Sequence, residues 1–245
     1  METQLPFLYD IHHNQYFQDI PFWLELASGG DSILELGCGT GRVLIPLVEA
    51  GCHVFGIEKD INMLLRLQHK TKGNFQPSVI CADMCAFQFN TIFSLILLPC
   101  NTYTTIADEN RQQLLSTVRR HLLPGGIFAV SLPNPTLVGQ LDLIGDSEVE
   151  ETYLHPITGH PLQISSAWRR STDQFTQYWH YDHLHSDGMV ERISVEINHR
   201  ILTLEQCTQE FDQTGLTIMA TFGDFDRSRY KKNSPHLILL ATNSA

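Results

Sequence analysis

The sequence predicts an α/β protein: an open, doubly wound, seven-stranded and mainly parallel sheet, with an antiparallel β-meander insertion and an N-terminal helical arm. Three observations lead there. Between residues 32 and 133, five short apolar runs alternate with helical patterns. Beyond Pro135 the texture changes to a two-residue alternation. After residue 202 the alternating pattern of helix and strand resumes. All 245 residues read as one domain, divided into an arm (1–30), a first β/α half (31–135), the insertion (136–202) and a closing helix with two strands (203–245).

The arm is rich in Tyr, Phe and His, and Phe22 and Trp23 read as core. Strands are expected at 33–36, 53–57, 79–81, 92–98 and 127–132. These runs are nearly continuous in apolar residues, as strands covered on both faces are. Segments 42–50, 61–70 and 107–122 carry apolar residues at helical spacing, and Gly51, Gly73 and Pro124-Gly125-Gly126 stop them. In the insertion, Leu162, Ile164 and Trp168 share one face. Phe175, Gln177, Trp179 and Tyr181 alternate with Thr176, Tyr178, His180 and Asp182, and Ile193, Val195 and Ile197 alternate with Arg192, Ser194 and Glu196. Tight links at Ser171-Thr172-Asp173 and Ser186-Asp187-Gly188 join these into three antiparallel strands with one solvated face. Thr203 then caps a helix over 204–213, Gly215 ends it, and the last strands are expected at 216–222 and 237–241.

Composition narrows the function classes. Twenty-seven acidic against sixteen basic residues leave a charge of −11, which argues against a partner bound by blanketing phosphates with cations. The longest apolar run, 92–98, is strand-sized, so no membrane partner is expected. The first twenty residues include Glu2, Asp10, His12, His13 and Asp19 and no apolar stretch of a secretory signal, so the expected location is cytoplasmic. Six cysteines without paired CxxC spacing read as reduced, buried thiols. His183 and His185 share a strand face while His180 and Asp182 point the other way. Two imidazoles without a third ligand lead to no expected metal site.

The chemistry-bearing stretch is Ile33-Leu34-Glu35-Leu36-Gly37-Cys38-Gly39-Thr40-Gly41. A buried strand runs into a glycine-rich turn and then a helix whose first N–H groups are unpaired. A dinucleotide site calls for G-x-G-x-x-G, but the third glycine position holds Arg42, which reads only as the start of a helix. Glu35 just before the turn suits a ligand carrying positive charge better than a diphosphate.

That E-x-G-x-G-x-G pattern resembles the first motif of class I S-adenosylmethionine-dependent methyltransferases. Further landmarks follow in order. Val54-Phe55-Gly56-Ile57-Glu58-Lys59-Asp60 is similar to the family's acid-ended second strand, which implies that Glu58, beside Lys59, takes the ribose hydroxyls and that Met63 packs on the adenine. Cys81-Ala82-Asp83-Met84 resembles the third-strand motif, implying that Asp83 accepts from the adenine amino group and the Met84 N–H donates to the ring. Leu98-Pro99-Cys100-Asn101 occupies the place that borders cofactor methionine and acceptor, and Leu123-Pro124-Gly125-Gly126-Ile127-Phe128 resembles the lead into the fifth strand.

Tyr9-Asp10 and Tyr16 resemble the lid of small-molecule N-methyltransferases, such as those acting on glycine and on amino sugars. The resemblance implies S-adenosylmethionine as cofactor, with S-adenosylhomocysteine as product. Its binding set is Tyr9, Tyr16, Glu35, Gly37, Gly39, Gly41, Glu58, Lys59, Met63, Asp83, Met84 and Pro99. Tyr9 and Asn101 are then the candidate catalytic residues, and Asn101, Tyr103, Tyr178 and His180 the candidate acceptor contacts. The insertion falls where that group builds a substrate cover, and the implied partner is a small-molecule methyl acceptor, an amine first. Thr105 stands where several members carry a histidine, so that histidine's general-base role does not carry over. A homodimer is compatible with this reading. The alternatives are a non-catalytic cofactor-binding member and a Rossmann oxidoreductase. An [N/D/S]-P-P-[Y/F/W] segment, typical of amino-methyltransferases of nucleic acids and glutamine side chains, is absent at 98–101.

Overall fold

Apolar residues on successive positions of a strand must be covered from both sides, and the computed structural model, which describes residues 4–243, meets that demand with two helical layers. Residues 1–3 of the expected arm and 244–245 of the expected C-terminal segment lie outside the described residues. The strands are β1 (Ile33–Leu36), β2 (Val54–Glu58), β3 (Ser78–Cys81), β4 (Phe93–Leu98), β5 (Leu122–Pro133), and, after the insertion, β10 (Leu216–Phe222) and β11 (His236–Asn243). They form one sheet in the order β3-β2-β1-β4-β5-β11-β10, with β11 antiparallel to both of its neighbours and the other pairs parallel.

Alternate residues feed opposite layers. Leu34, Leu36, Ile96, Phe128 and Val130 pack with α5 (Asp108–His121) and α7 (Leu204–Gln213) through Leu114, Val118 and Phe211. Ile33, Leu95, Leu97 and Ala129 face α2 (Ile20–Ala27), α3 (Leu44–Glu49) and α4 (Ile61–Thr71) through Trp23, Leu47 and Leu67. Fully burying a side chain of this size contributes about 1.5–3 kcal/mol. α7 begins with the capping box its sequence spells: Thr203 Oγ1 accepts from the Gln206 N–H, and the Gln206 side chain accepts from the Thr203 N–H. The chain leaves β1 toward one edge of the sheet and β4 toward the other. The crevice beyond their carboxyl ends is therefore where such sheets bind ligands.

The insertion has four strands rather than the three expected: β6 (Ile144–Leu154), β7 (Pro161–Arg170), β8 (Gln174–Leu184) and β9 (Val190–Arg200), paired antiparallel in chain order. A short helix, α6 (Pro135–Gln140), leads into it, capped by Asn134 Oδ1 accepting from the Thr136 N–H. β6 escapes the sequence reading because it is an edge strand exposed along nearly its whole length, and its Asp146-Ser147-Glu148 and Glu150-Glu151 break any apolar alternation. Leu162, Ile164 and Tyr181 on the inner face pack against Leu8 of α1 (Gln4–His13). The arm is thus clamped between the two sheets.

Cysteines depart partly from expectation. All six are free thiols, but Cys81 and Cys100 are exposed, one at a strand end and one in the turn after β4. Among the described residues no helix is long and apolar enough to cross a membrane.

After β4 a single 3-10 turn, Thr102–Thr105, crosses the crevice. Tyr103 anchors it from below: the ring is fully buried and its hydroxyl donates to Glu210 Oε2 at 2.5 Å. Glu210 also accepts from Arg111, at 2.7 Å to Nη2, and Arg111 donates further to Asp108 and the Ile106 carbonyl. Without Glu210 the buried Arg111 guanidinium keeps only the exposed Asp108 carboxylate and the Ile106 carbonyl as partners. Glu210→Ala therefore lowers stability by about 3 kcal/mol in urea unfolding, and an unchanged midpoint would remove this network from the account.

Candidate active site

The crevice holds two adjoining lobes of about 620 and 460 Å3 that share Tyr9, Gly37, Gly39 and Trp179 as walls. Their floor comes from the turn after β1. Gly39 sits at φ +53, and a Cβ there would meet nothing within 4 Å, so a side chain would stand in the open space above the turn. The Gly39 N–H donates to Glu58 Oε2 (3.0 Å), while Glu58 Oε1 accepts from the Asp60 N–H (2.9 Å). Each carboxylate oxygen keeps accepting capacity beyond its one backbone partner. Asp83, at the end of β3, is fixed in the same way by the Cys85 N–H on Oδ1 (2.8 Å). Glu58, Lys59, Met63, Asp83 and Met84 all line the first lobe.

The second lobe is bounded by Glu35, Arg42, Cys100, Asn101, Tyr16 and His199. Glu35 is 2% exposed, and its Oε2 is buried without a hydrogen-bond partner. Burial, opposed by the Arg42 guanidinium, pushes its carboxyl up to about 8. Burial acts oppositely on the imidazoles: His13 falls to about 3, helped by His12 and Arg42, and His199 to about 4. The Tyr9 hydroxyl is raised by burial, and its ring lies 4.0 Å from that of His13. Cys100 and Asn101 take successive left-handed conformations (φ 62 and 60), a strained pair for residues with side chains, which turns Asn101 into the lobe.

Buried ion pairs hold the arm over both lobes. Asp10 accepts from Thr40 Oγ1 (2.7 Å), Arg66 Nε (2.9 Å) and Lys70 Nζ (2.8 Å). Arg42 donates through both terminal nitrogens to Asp19 at 2.6 Å, and also to the Tyr16 carbonyl and Cys100 Sγ. Arg42, read from sequence only as a helix start, is thus the latch between glycine turn and arm. Its partner lies 23 residues upstream, and no local spacing announces the pair.

Several expected site residues stand elsewhere. Gly41 lines neither lobe: its φ is +87, and a Cβ would come within 2.9 Å of Leu67 Cδ1, so it serves the packing of the turn on α4. Pro99 is buried and offers its carbonyl to Thr102 Oγ1 (2.8 Å), shaping the turn rather than the cavity wall. Tyr103 is core, as above. Tyr178 and His180 are even-numbered on β8 and face away from the cavity, with His180 Nδ1 2.8 Å from Ser194 Oγ. The wall is made instead by their odd-numbered neighbours Gln177 and Trp179 with Ile197 of β9. The alternation was legible, and the apolar face was the one to follow. The premise that His183 and His185 lack a third imidazole also fails, because the β6–β7 turn brings His160 beside them.

Residues 33–126 match the family model described as a methyltransferase domain. Over 107 residues the chain is 29% identical to the cypemycin N-terminal methyltransferase of a Streptomyces species, which covers 43% of each chain. The chain spans less than half the length of the curated relatives it matches over this stretch. The structure of an S-adenosylmethionine-dependent methyltransferase from Clostridium acetobutylicum superposes with a TM-score of 0.81 at 17% identity, covering 99% of this chain and 98% of that one. CalS10, an amino pentose methyltransferase from Micromonospora echinaspora solved with S-adenosylmethionine bound, gives 0.74 at 16% identity over 96% of both chains. The fold is the one these class I methyltransferases share.

Glu35 makes the ligand-free fold pH-sensitive. With a folded value of about 8 against 4.5 ordinarily, it stays neutral in the folded chain while the unfolded chain ionises it. Its effect is nil below the ordinary value, and it destabilises increasingly as pH rises toward the folded value, by up to roughly 5 kcal/mol. Glu35→Gln, which cannot ionise, therefore gains stability over wild type between about pH 5 and about pH 8.5 in urea unfolding. A gap that is the same at both pH values contradicts the assignment.

Proposed function

We propose that this chain, whose residues 33–126 carry a methyltransferase domain on the class I fold, transfers a methyl group from S-adenosylmethionine to a small-molecule acceptor, an amine in preference to a hydroxyl. The observation that carries the reading is the convergence of Glu35, Glu58 and Asp83, each at the end of a neighbouring strand, on one crevice in which Glu35 has a buried oxygen without a partner. That oxygen fits an ammonium, as in the amino-acid moiety of the cofactor. Glu58 would accept from the ribose hydroxyls and Asp83 from the adenine amino group, with the Met84 N–H and Met63 against the ring. Space above Gly39 leaves the backbone of the turn open to close approach.

When bound, the cofactor supplies an electrophilic methyl group on a sulfonium with a good leaving group, so the chain need not provide a nucleophile. Its own residues would position the acceptor and exclude water, through the arm on one side and Trp179 and Ile197 on the other. Fixing two reactants in this way can lower a barrier by about 7–11 kcal/mol. Tyr9, uncharged and walling both lobes, offers an aromatic face to positive charge. The bases at hand are weak. His13 and His199 are held far below neutrality, and Thr105 occupies the place of the histidine of related enzymes. A hydroxyl acceptor needs its proton removed as it reacts, whereas a neutral amine reacts through its lone pair and sheds a proton afterwards. That contrast favours the amine. Asn101, with its amide beside Cys100 in the second lobe, would orient the acceptor by hydrogen bonding. The cypemycin and amino pentose enzymes, both acting outside nucleic acids, support a small acceptor. The same reading carries a cytoplasmic protein with no nucleic-acid or membrane partner and is compatible with a homodimer.

Calorimetric titration with S-adenosylhomocysteine tests the cofactor. Wild type binds, and Glu58→Ala with Asp83→Ala weakens binding at least about 100-fold, since each removes hydrogen bonds to a charged acceptor worth about 1.5–3 kcal/mol. Full retention in the double variant, or stabilisation of wild type by a nicotinamide dinucleotide instead, overturns it. For the chemical step, Tyr9→Ala lowers kcat/KM with an amine acceptor about 2- to 30-fold while Tyr9→Phe leaves it nearly unchanged. Equal losses in both variants would assign the effect to the hydroxyl and not to the ring.

A further inference from the structure

At one end of the four-stranded sheet two hairpin turns meet. The β6–β7 turn is closed by the His155 N–H donating to the His160 carbonyl, and the β8–β9 turn by the His185 N–H donating to the Met189 carbonyl, both at 2.8 Å. Four imidazoles gather between them. His155 stacks on His183 with centroids 4.4 Å apart and planes 11° apart, His185 lies 4.2 Å from His183, and His160 lies 5.8 Å from each of His183 and His185. One ring nitrogen from each of His160, His183 and His185 lies within 4.8 Å of the others.

Ring stacking does not account for the polar atoms of this cluster. His160 Nδ1 is buried and has no hydrogen-bond partner, the arrangement of a group awaiting a ligand. His183 is 8% exposed and packed between the rings of His155 and His185. Outer partners are also in place. Thr158 Oγ1 lies 2.9 Å from His183 Nε2, and the Glu191 carboxylate 3.7 Å from His185 Nε2. The Thr158 hydrogen bond leaves His183 Nδ1 as its ligating atom, while Glu191 supplies negative charge near His185.

We propose that His160, His183 and His185 form a binding site for one divalent first-row transition cation, with Zn2+ as the probe. An all-imidazole set suits zinc, copper, nickel or cobalt and not magnesium or calcium, which take oxygen ligands. Zinc–nitrogen bonds of about 2.0–2.1 Å in a tetrahedral set bring the nitrogens to about 3.3 Å apart, so the nitrogens close by up to about 1.5 Å, within the reach of small χ adjustments. None of these histidines lines the cavity, so the cation has a bracing role. It ties the two turns together and, through His155, whose ring lies 5.2 Å from Phe7 of α1, backs the arm from outside.

The test is calorimetric titration of the metal-stripped full chain with Zn2+, repeated with Co2+ to read the visible absorption of a tetrahedral site. His183 is packed, so the variants are His160→Gln and His185→Gln, with circular dichroism to verify their folds. Wild type takes one equivalent, and each variant loses affinity by at least the roughly tenfold that removal of even an outer partner costs a metal site. No uptake of one equivalent by wild type, or affinity unchanged in both folded variants, overturns the proposal.

Discussion

A carboxylate taken out of water must find a compensating partner or give up its charge, and the crevice of this protein is organised by that requirement. Asp10 and Asp19, both almost fully buried, are answered by Arg66 and Lys70 and by Arg42. Glu58 is answered by two backbone N–H groups. Glu35, equally buried, has no such answer and is held neutral instead. The compensated acids build the enclosure, and the uncompensated one leaves a buried carboxyl oxygen without a partner inside it.

The same asymmetry runs through the second lobe. Its imidazoles, His13, His199 and His236, are all lowered by burial, and Tyr9 is uncharged. The Arg42 guanidinium in its wall is already paired with Asp19, so the lobe offers neither an imidazole base of ordinary strength nor an unpaired cation. The arm, the glycine turn and the insertion contribute to this environment together.

What could be read from sequence follows the range of the interactions involved. β1 to β5 were legible because a strand buried on both faces writes its burial into consecutive residues. The positions of Glu35, Gly39, Glu58 and Asp83 around the crevice were legible because each lies within a few residues of the carboxyl end of a strand. β6 was not, since an exposed edge strand need bury almost nothing and carries no pattern. Tyr178 and His180 were drawn from the correct strand but the wrong face, because polar residues were preferred over Trp179 and Ile197 for lining a ligand cavity. Arg42 with Asp19, Tyr103 with Glu210, and His160 with His183 depend on residues brought together only by tertiary structure, and short-range spacing carries no trace of them.

The way the arm is fastened has a kinetic side. Asp10 and Asp19 anchor it at two points, one to α4 and the other to Arg42, with Tyr9 next to the first anchor against both lobes. A segment bolted at both margins does not peel back one residue at a time, so lifting it from the glycine turn requires both ion pairs to part together.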